Sequence, residues 1–389
     1  MLRIAHFTDA TVDGVHGVVA SIRLLTTELA RSGHAGLVVS AGPLWRDGRA
    51  DAHWMRSAPS GMGEFRYVLF PIRGMRDRVR SWRPDVIHVH TPGPLGAGAM
   101  SVARELGVPA VYTYHTDMHG YSDHYYIPPL VVRACTAYYG RHLRPGAGAV
   151  TAWRGGRYEA VEAANARIFE AARVIIAPTA AALRRCRTAA AYLDRVRVVP
   201  SPPAHFGTSA VDFRARYGIP AGAPVVLFVG RLSVEKGIPL LLDAFELLRA
   251  REPTAVLVLA GPGRRRVGAG VIRTGLLDGD GVRAAYQAAT VFAFPSETDT
   301  QGLVLHEAAR AGLPIVMVDR ALHDAHPLAG AVRLAEPAAP ALAAALADVI
   351  RDGGELGEMS RTRAAELTPA RFAAEVLAAY RDALTAGPG

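Results

Sequence analysis

The sequence predicts an α/β protein built from two doubly wound, Rossmann-like domains, and three observations carry that expectation. Short, wholly apolar segments alternate with helical patterns, as expected of a parallel sheet covered on both faces. The alternation breaks once, around "SPPAHFG" (residues 201–207), where Pro200, Pro202 and Pro203 oppose regular structure. It then restarts and runs almost to the end of the 389-residue chain. At about 150 residues per domain, that length allows two or three domains.

The elements follow in order. "LRIAHF" reads as a first strand, "TDATVDGVHG" as a loop and Val18 to Arg31 as a helix. "HAGLVVS", "PDVIHVH", "PAVYTYH", "ARVIIAPT" and "RVRVVPS" read as further strands. After the break come the strand "APVVLFVG", the helix "IPLLLDAFELLRA", the strands "TAVLVLAG" and "TVFAFPS", the helix "LVLHEAARAG" and the strand "PIVMVD". The last segment, "TPARFAAEVLAAYRDAL", spaces Phe372, Val376, Tyr380 and Leu384 along one stripe of an amphipathic helix. We expect domains over 1–204 and 205–369, with a terminal helix over 370–389. In such sheets ligands sit beyond the carboxyl ends of the strands, so the loops that follow strands are the informative ones.

Composition narrows the class. Half the residues are hydrophobic and 20% are charged, which suits a globular protein. No apolar run approaches the roughly 18 residues of a membrane span. "MLRIAHFTDA" lacks the apolar core of a secretion signal, so a cytoplasmic location is expected. Cys135 and Cys186 make neither a disulfide framework nor a metal site. Part of the net charge of +9 sits in "PIRGMRDRVRSWRP", with Arg73, Arg76, Arg78, Arg80 and Arg83. That stretch reads either as a solvated helix face or as a peripheral contact with anionic lipid at the inner face of the membrane. Zinc-finger spacing and an aromatic RNA platform are both missing, so no nucleic-acid partner is expected.

Two loops carry the chemistry. Of 44 Lys and Arg residues, Lys236 is the one lysine, in "VVLFVGRLSVEKGIPLLLDAF". There a buried strand ends at Gly230, Arg231 and Lys236 flank a short loop, and Gly237 opens a helix. A helix N-terminus with two cations beside it suits a diphosphate. The compact ammonium of lysine enters a tight pocket that a planar guanidinium would not. The plainer alternatives are a surface turn in which Glu235 pairs with these cations, and arginine bias that spared one lysine by chance. The second loop, "VFAFPSETDTQGLVLHEAARAGLP", places Glu297 and Asp299 on a loop and Glu307 on the helix behind Gly302 and Leu303. Carboxylates so placed accept hydrogen bonds from sugar hydroxyls. The plainer alternative is that acids complement a helix N-terminus, which explains Glu297 and Asp299 better than Glu307.

"GRLSVEKG", "LAGPGRRR" and "SETDTQGLVLHEA" together resemble retaining glycosyltransferase family 4, of the GT-B fold. The resemblance implies two Rossmann-like domains facing across a cleft, with the C-terminal helix returning to the N-terminal domain. It implies donor diphosphate binding by Arg231 and Lys236, with Gly237, Gly302 and Leu303 at the helix mouths, and a ribose contact by Glu307. The first acid of the family's pattern falls on Asp299, a shorter side chain, with Glu297 beside it; both are candidates for the transferred sugar. In the first half, "TDATVDGVHGVVASI" resembles the family's glycine loop, with Gly17 facing the donor phosphate. "VYTYHTDMHGY" resembles its histidine-bearing stretch, which puts His115 by the donor sugar and Asp117 close to it. Two departures stand out. "SPPAHFG" replaces the usual post-linker sequence, and the stretch from Gly263 to Leu276 is short enough that a helix common in the family should be absent.

The resemblance implies transfer of a hexose from a nucleoside diphosphate sugar, with retention. No metal or other cofactor is expected, since Arg231, Lys236 and helix amides supply the positive charge; "LLDGD" is only a weak metal-motif lookalike. The acceptor should lie on the N-terminal domain, where "HTDMHGYSDHYYIPP" offers Asp117, Tyr121, His124 and Tyr125. A small natural-product acceptor such as an aminocyclitol, as in antibiotic biosynthesis, and a lipid or cell-envelope acceptor both fit. Two other readings are a GT-B-fold nucleotide-sugar epimerase and a non-catalytic sugar-nucleotide-binding protein. A dinucleotide oxidoreductase would want G-x-G-x-x-G after the first strand, which "TDATVDGVHG" lacks.

Overall fold

The computed structural model describes residues 1–11, 17–42, 51–60, 65–68, 71–124, 129–144, 156–203 and 207–385. The chain divides into two compact units, Met1–Ser201 with Pro369–Gly389, and Pro202–Thr368.

The first unit is built on strands β1 (Arg3–Thr8), β2 (Ala35–Ser40), β3 (Asp51–Trp54), β6 (Val86–Val89), β7 (Ala110–Thr113), β8 (Val174–Ala177) and β9 (Val196–Val198). These form one parallel sheet in the order β3-β2-β1-β6-β7-β8-β9. A small antiparallel pair, β4 (Ser57–Pro59) and β5 (Arg66–Val68), stands apart. The helices are α1 (Gly17–Arg31), α2 (Pro71–Trp82), α3 (Pro94–Leu106), α4 (Met118–His124), α5 (Pro129–His142) and α6 (Arg157–Ala171). The expected strands appear because each is apolar and short; β6 and β7 are buried throughout. Strand β3 and the β4–β5 pair had no such signal, since their residues are half exposed and mixed in character.

One buried acid fastens this sheet to a helix. Asp9, just past β1, accepts from the backbone N–H groups of Leu95 and Gly96 at 2.8 and 3.2 Å and from the Thr91 hydroxyl at 2.8 Å. It thereby caps the first turn of α3, whose orphan donors need acceptors. Burial pushes its carboxyl up to about 6, against the downward pull of those bonds.

The second unit repeats the plan with a six-stranded parallel sheet in the order β12-β11-β10-β13-β14-β15. Its strands are β10 (Val225–Val229), β11 (Val256–Ala260), β12 (Val271–Gly275), β13 (Val291–Phe294), β14 (Ile315–Met317) and β15 (Arg333–Leu334). Its helices are α7 (Phe213–Tyr217), α8 (Ile238–Arg249), α9 (Gly279–Ala288), α10 (Leu303–Arg310), α11 (Arg320–Ala325), α12 (Ala339–Asp352) and α13 (Gly354–Ala365). Residues 263–276 contain β12 and no helix, as their number suggested.

Helix α14 (Pro369–Thr385) belongs to the first unit. Phe372, Val376, Ala379 and Tyr380 pack with Ile4, Val86, Val111 and Ile176 in one buried cluster. Leu384 does not join them and is exposed: steps of four residues turn about 40° each around the helix, so the buried stripe passes through Ala379 and Ala383 instead. The Tyr380 hydroxyl also bonds Nδ1 of buried His88 at 2.7 Å. Among the described residues no helix is long and apolar enough to cross a membrane.

Candidate functional site

In the second unit the two singled-out loops meet at the carboxyl ends of β10 and β13. Between β10 and α8 the chain makes one turn of 3-10 helix, Val234–Lys236, and Gly237 then takes a left-handed conformation, φ 70°. A Cβ on Gly237 would sit 2.0 Å from the Pro295 carbonyl oxygen, so only glycine lets this turn rest on the loop after β13. Hydroxyls complete the junction: Thr298 and Ser296 donate to the Glu235 carbonyl at 3.1 and 3.3 Å. Those two residues escaped the sequence reading, although flanking Ser and Thr in "PSET" are a fair signal for loop-to-backbone bonds.

The charges are paired at this junction. Lys236 Nζ donates to Asp299 Oδ1 at 2.6 Å, with about a fifth of each side chain exposed. Arg231 lies 3.3 Å from the buried Glu235 carboxylate. Burial by itself would raise the Asp299 carboxyl; the Lys236 ammonium, with Ser296 and Arg231 behind it, outweighs that and holds it below the usual carboxylate range. The result is a compact, ionised cluster whose cations stand beside the first turn of α8. Glu297 is on the exposed side of the loop.

Gly302 takes φ 73° at the mouth of α10, where a Cβ would meet the Phe294 ring at 2.8 Å. Leu303 is the first helical residue behind it, half-buried. Glu307 sits one turn deeper, buried, and accepts from the Tyr286 hydroxyl at 2.9 Å. Tyr286, on α9, gave no sequence signal; burial and then the adjacent carboxylate keep its hydroxyl protonated. In the weak metal lookalike "LLDGD", Asp278 caps α9 by accepting from the Gly281 N–H at 2.8 Å.

In the first unit Gly17 opens α1 and is exposed, so its N–H is one of the first-turn donors that have no acceptor within the helix itself. His115 follows β7, half-buried, with its imidazole pulled down to about 4 by burial. Its Nε2 lies 3.2 Å from Nδ1 of His90, whose Nε2 lies 3.1 Å from Nδ1 of His6. The sequence reading did not single out His6 and His90, though the alternation in "IHVH" puts His88 and His90 on one face of a strand.

The expected acceptor residues divide. Asp117 is buried, accepting from the N–H groups of His119 and Gly120 at 3.1 Å, and so caps α4. His124 is exposed and donates from Nδ1 to the Gly120 carbonyl of its own helix at 2.8 Å. Tyr121 lies on α4, with its side chain outside what the structure describes, and Tyr125 lies outside the described residues. The arginines of α2 are exposed; Arg80 meets Glu105 at 2.9 Å and Arg76 stands 3.8 Å from the same carboxylate.

Both units are similar to known proteins. The model of Glycosyltransferase Family 4 matches residues 15–202, and that of Glycosyl transferases group 1 matches residues 223–352. A GDP-mannose-dependent alpha-mannosyltransferase of Mycobacterium tuberculosis is 29% identical over 82% of this chain and 79% of its own length. An alpha-monoglucosyldiacylglycerol synthase of Streptococcus pneumoniae is 27% identical over 81% of this chain and 70% of its own. Among solved structures, Anabaena HepE in complex with UDP and glucose superposes with a TM-score of 0.69 at 16% identity, covering 97% of this chain and 100% of that one. With both units accounted for, the chain belongs to glycosyltransferase family 4: it is a nucleotide-sugar glycosyltransferase of the GT-B fold.

Proposed function

We propose that this enzyme moves a hexose from a nucleoside diphosphate sugar, with retention at the anomeric carbon, to a hydroxyl of a lipid-linked or other apolar acceptor. The observation that carries the donor half is the cluster of Arg231, Lys236 and Asp299 at the start of α8. As the glycosidic bond breaks, the diphosphate gains negative charge. Lys236 and Arg231, with the N–H groups of the first turns of α8 and α10, oppose that charge without reorganising. Lys236 is already positioned by Asp299, so in this reading the ammonium exchanges one anion for another when donor binds. Asp299, which lies against Lys236, takes the role next to the transferred sugar in preference to the exposed Glu297. Glu307, fixed by Tyr286, accepts from a ribose hydroxyl, and His115 serves the donor sugar. The side chains supply the charge that a metal supplies elsewhere, so chelator is expected to leave turnover intact.

The acceptor half rests on a cavity of about 120 Å³ in the first unit. Met118, Val131, Cys135, Tyr139, Val161 and Ala164 line it, and Asp9 and Arg157 stand among its few polar groups. An apolar hollow suits a lipid or aglycone better than a bare sugar. The relative that makes a glycosylated diacylglycerol supports that choice of acceptor, and the mannosyltransferase supports GDP-mannose as the first donor to try. A melting screen with GDP, UDP and NAD tests the donor site: diphosphate stabilisation without an NAD effect is expected. Labelled GDP-mannose and UDP-glucose are then offered with diacylglycerol vesicles or with soluble cyclitols, and the product anomer is read by NMR. Transfer with inversion, or to cyclitols alone, would overturn the respective half.

A further inference from the structure

Three imidazoles in the first unit form a row from the sheet interior to the end of β7. His6 and His90 are 0% and 1% exposed, and His115 is half-buried. The contacts are His6 Nδ1 to His90 Nε2, 3.1 Å, and His90 Nδ1 to His115 Nε2, 3.2 Å. The rings of neighbours stack, with centroids 5.4 and 5.5 Å apart and interplanar angles of 28° and 21°. At the inner end, Nε2 of His6 is buried and has no hydrogen-bond partner among the described residues. Burial depresses all three rings far enough to keep them uncharged at neutral pH, so each carries one proton.

One proton per ring leaves two arrangements, and the inner end separates them. With the proton on His6 Nε2, a buried N–H has no acceptor, which folded proteins avoid more strictly than an unused lone pair. With the proton on His6 Nδ1, that nitrogen donates to His90 Nε2, His90 donates from Nδ1 to His115 Nε2, and His115 keeps its own proton on Nδ1. The geometry points to His90 and His6 as positioning residues that set His115 in the Nδ1–H tautomer, so that it meets substrate as a hydrogen-bond donor and not as a base through Nε2. This inference rests on the reading that His115 serves the donor sugar. His88 takes no part in the row. Its Nδ1 and Nε2 are engaged by the hydroxyls of Tyr380 and Thr113, each at 2.7 Å. A metal held by His6, His88 and His90, which bring ligand atoms within 4.8 Å of one another, would have to break these bonds.

The test reads the imidazoles directly. Long-range proton–nitrogen spectra of protein labelled with nitrogen-15 histidine, assigned by single-histidine variants, distinguish protonated from bare ring nitrogens. Protonated-type Nδ1 and bare-type Nε2 are expected at His6, His90 and His115. An Nε2–H form at His90 or His115, an imidazolium at neutral pH, or displacement of these signals by added Zn²⁺ would each overturn the inference. Two variants add the functional readout. His90→Asn retains an amide N–H near the position of Nδ1 and should preserve the His115 tautomer. His90→Phe retains ring volume but no donor, and should turn the single His115 signature into a mixture with a donor KM raised several-fold. Equal behaviour of the two folded variants would also overturn it. The spectra need no substrate, so a failure of the donor-site reading shows separately, as an unchanged donor KM in His115→Ala.

Discussion

The strand ends of the two units carry opposite kinds of polar chemistry. In the first, β1, β6 and β7 present uncharged imidazoles, bonded to one another and to hydroxyls. In the second, the loops after β10 and β13 hold two ion pairs within a few residues, Arg231 with Glu235 and Lys236 with Asp299. A neutral network holds its shape through hydrogen-bond direction, and a buried charge pair holds it through attraction that must exceed desolvation. The difference teaches that the first unit's strand ends hold their shape by bond direction and the second unit's loops by charge. Under the proposed function the donor diphosphate meets the charged loops, and neutral hydroxyls meet the imidazoles.

The comparison breaks first at the backbone. Gly237→Ala forces a Cβ to 2.0 Å from the Pro295 oxygen at a positive φ, and should destabilise by about 3 kcal/mol or more. Gly33→Ala, also at positive φ but with nothing within 4 Å, should cost about 1 kcal/mol. Urea midpoints of the two variants measure the gap. Next comes the ammonium. Lys236→Arg should keep the wild-type melting temperature and lose roughly 100-fold in kcat/KM, the scale of removing one charge-stabilising donor. Wild-type turnover in that variant would show that the pocket accepts a guanidinium.

Acid separates the two chemistries. The His6 imidazole, at about 3 in the folded state against 6.5 unfolded, contributes stability that is whole above 6.5 and drains as pH falls toward about 3. Its slope can reach about 1.4 kcal/mol per pH unit. The Asp299 carboxyl is depressed from 3.8, so its contribution is whole above 3.8 and drains only below that. Urea unfolding at about pH 7 and about pH 5 should therefore show a stability loss that His6→Asn reduces and Asp299→Asn leaves unchanged. A smaller effect than at Gly237 is expected at Tyr286→Phe, which removes the donor to the buried Glu307 carboxylate. A destabilisation of about 1–2 kcal/mol and a weaker nucleotide affinity by calorimetry are expected.

Much of the fold was legible because a buried parallel strand must be apolar and short, and a covering helix must alternate at its own period. The strands of both sheet centres and the helices α1, α8, α10 and α14 announce themselves this way. Strand β3 and the β4–β5 pair do not, since half-exposed edge segments have no need for apolar side chains. Leu384 continues the four-residue spacing in sequence, yet that spacing turns about 40° around the helix at each step, so Ala383 takes the packed position and Leu384 is exposed. In the candidate site, Arg231, Lys236 and Asp299 were readable because charged residues after apolar strands are conspicuous. Tyr286 and Ser296 were not, because a partner from another element has no fixed spacing.

Sequence by itself determined the alternation of strand and helix, its interruption over residues 201–207, the family and the charged residues of the two loops. Tertiary structure alone decided which charges pair across loops, that Asp299 and not Glu297 lies against Lys236, and that His115 ends a row of three imidazoles. The physical reason is one of range. Propensity and periodicity act over a few neighbours along the chain, whereas a hydrogen bond or ion pair acts over about 3 Å in space and joins residues the sequence holds 25 to 84 positions apart.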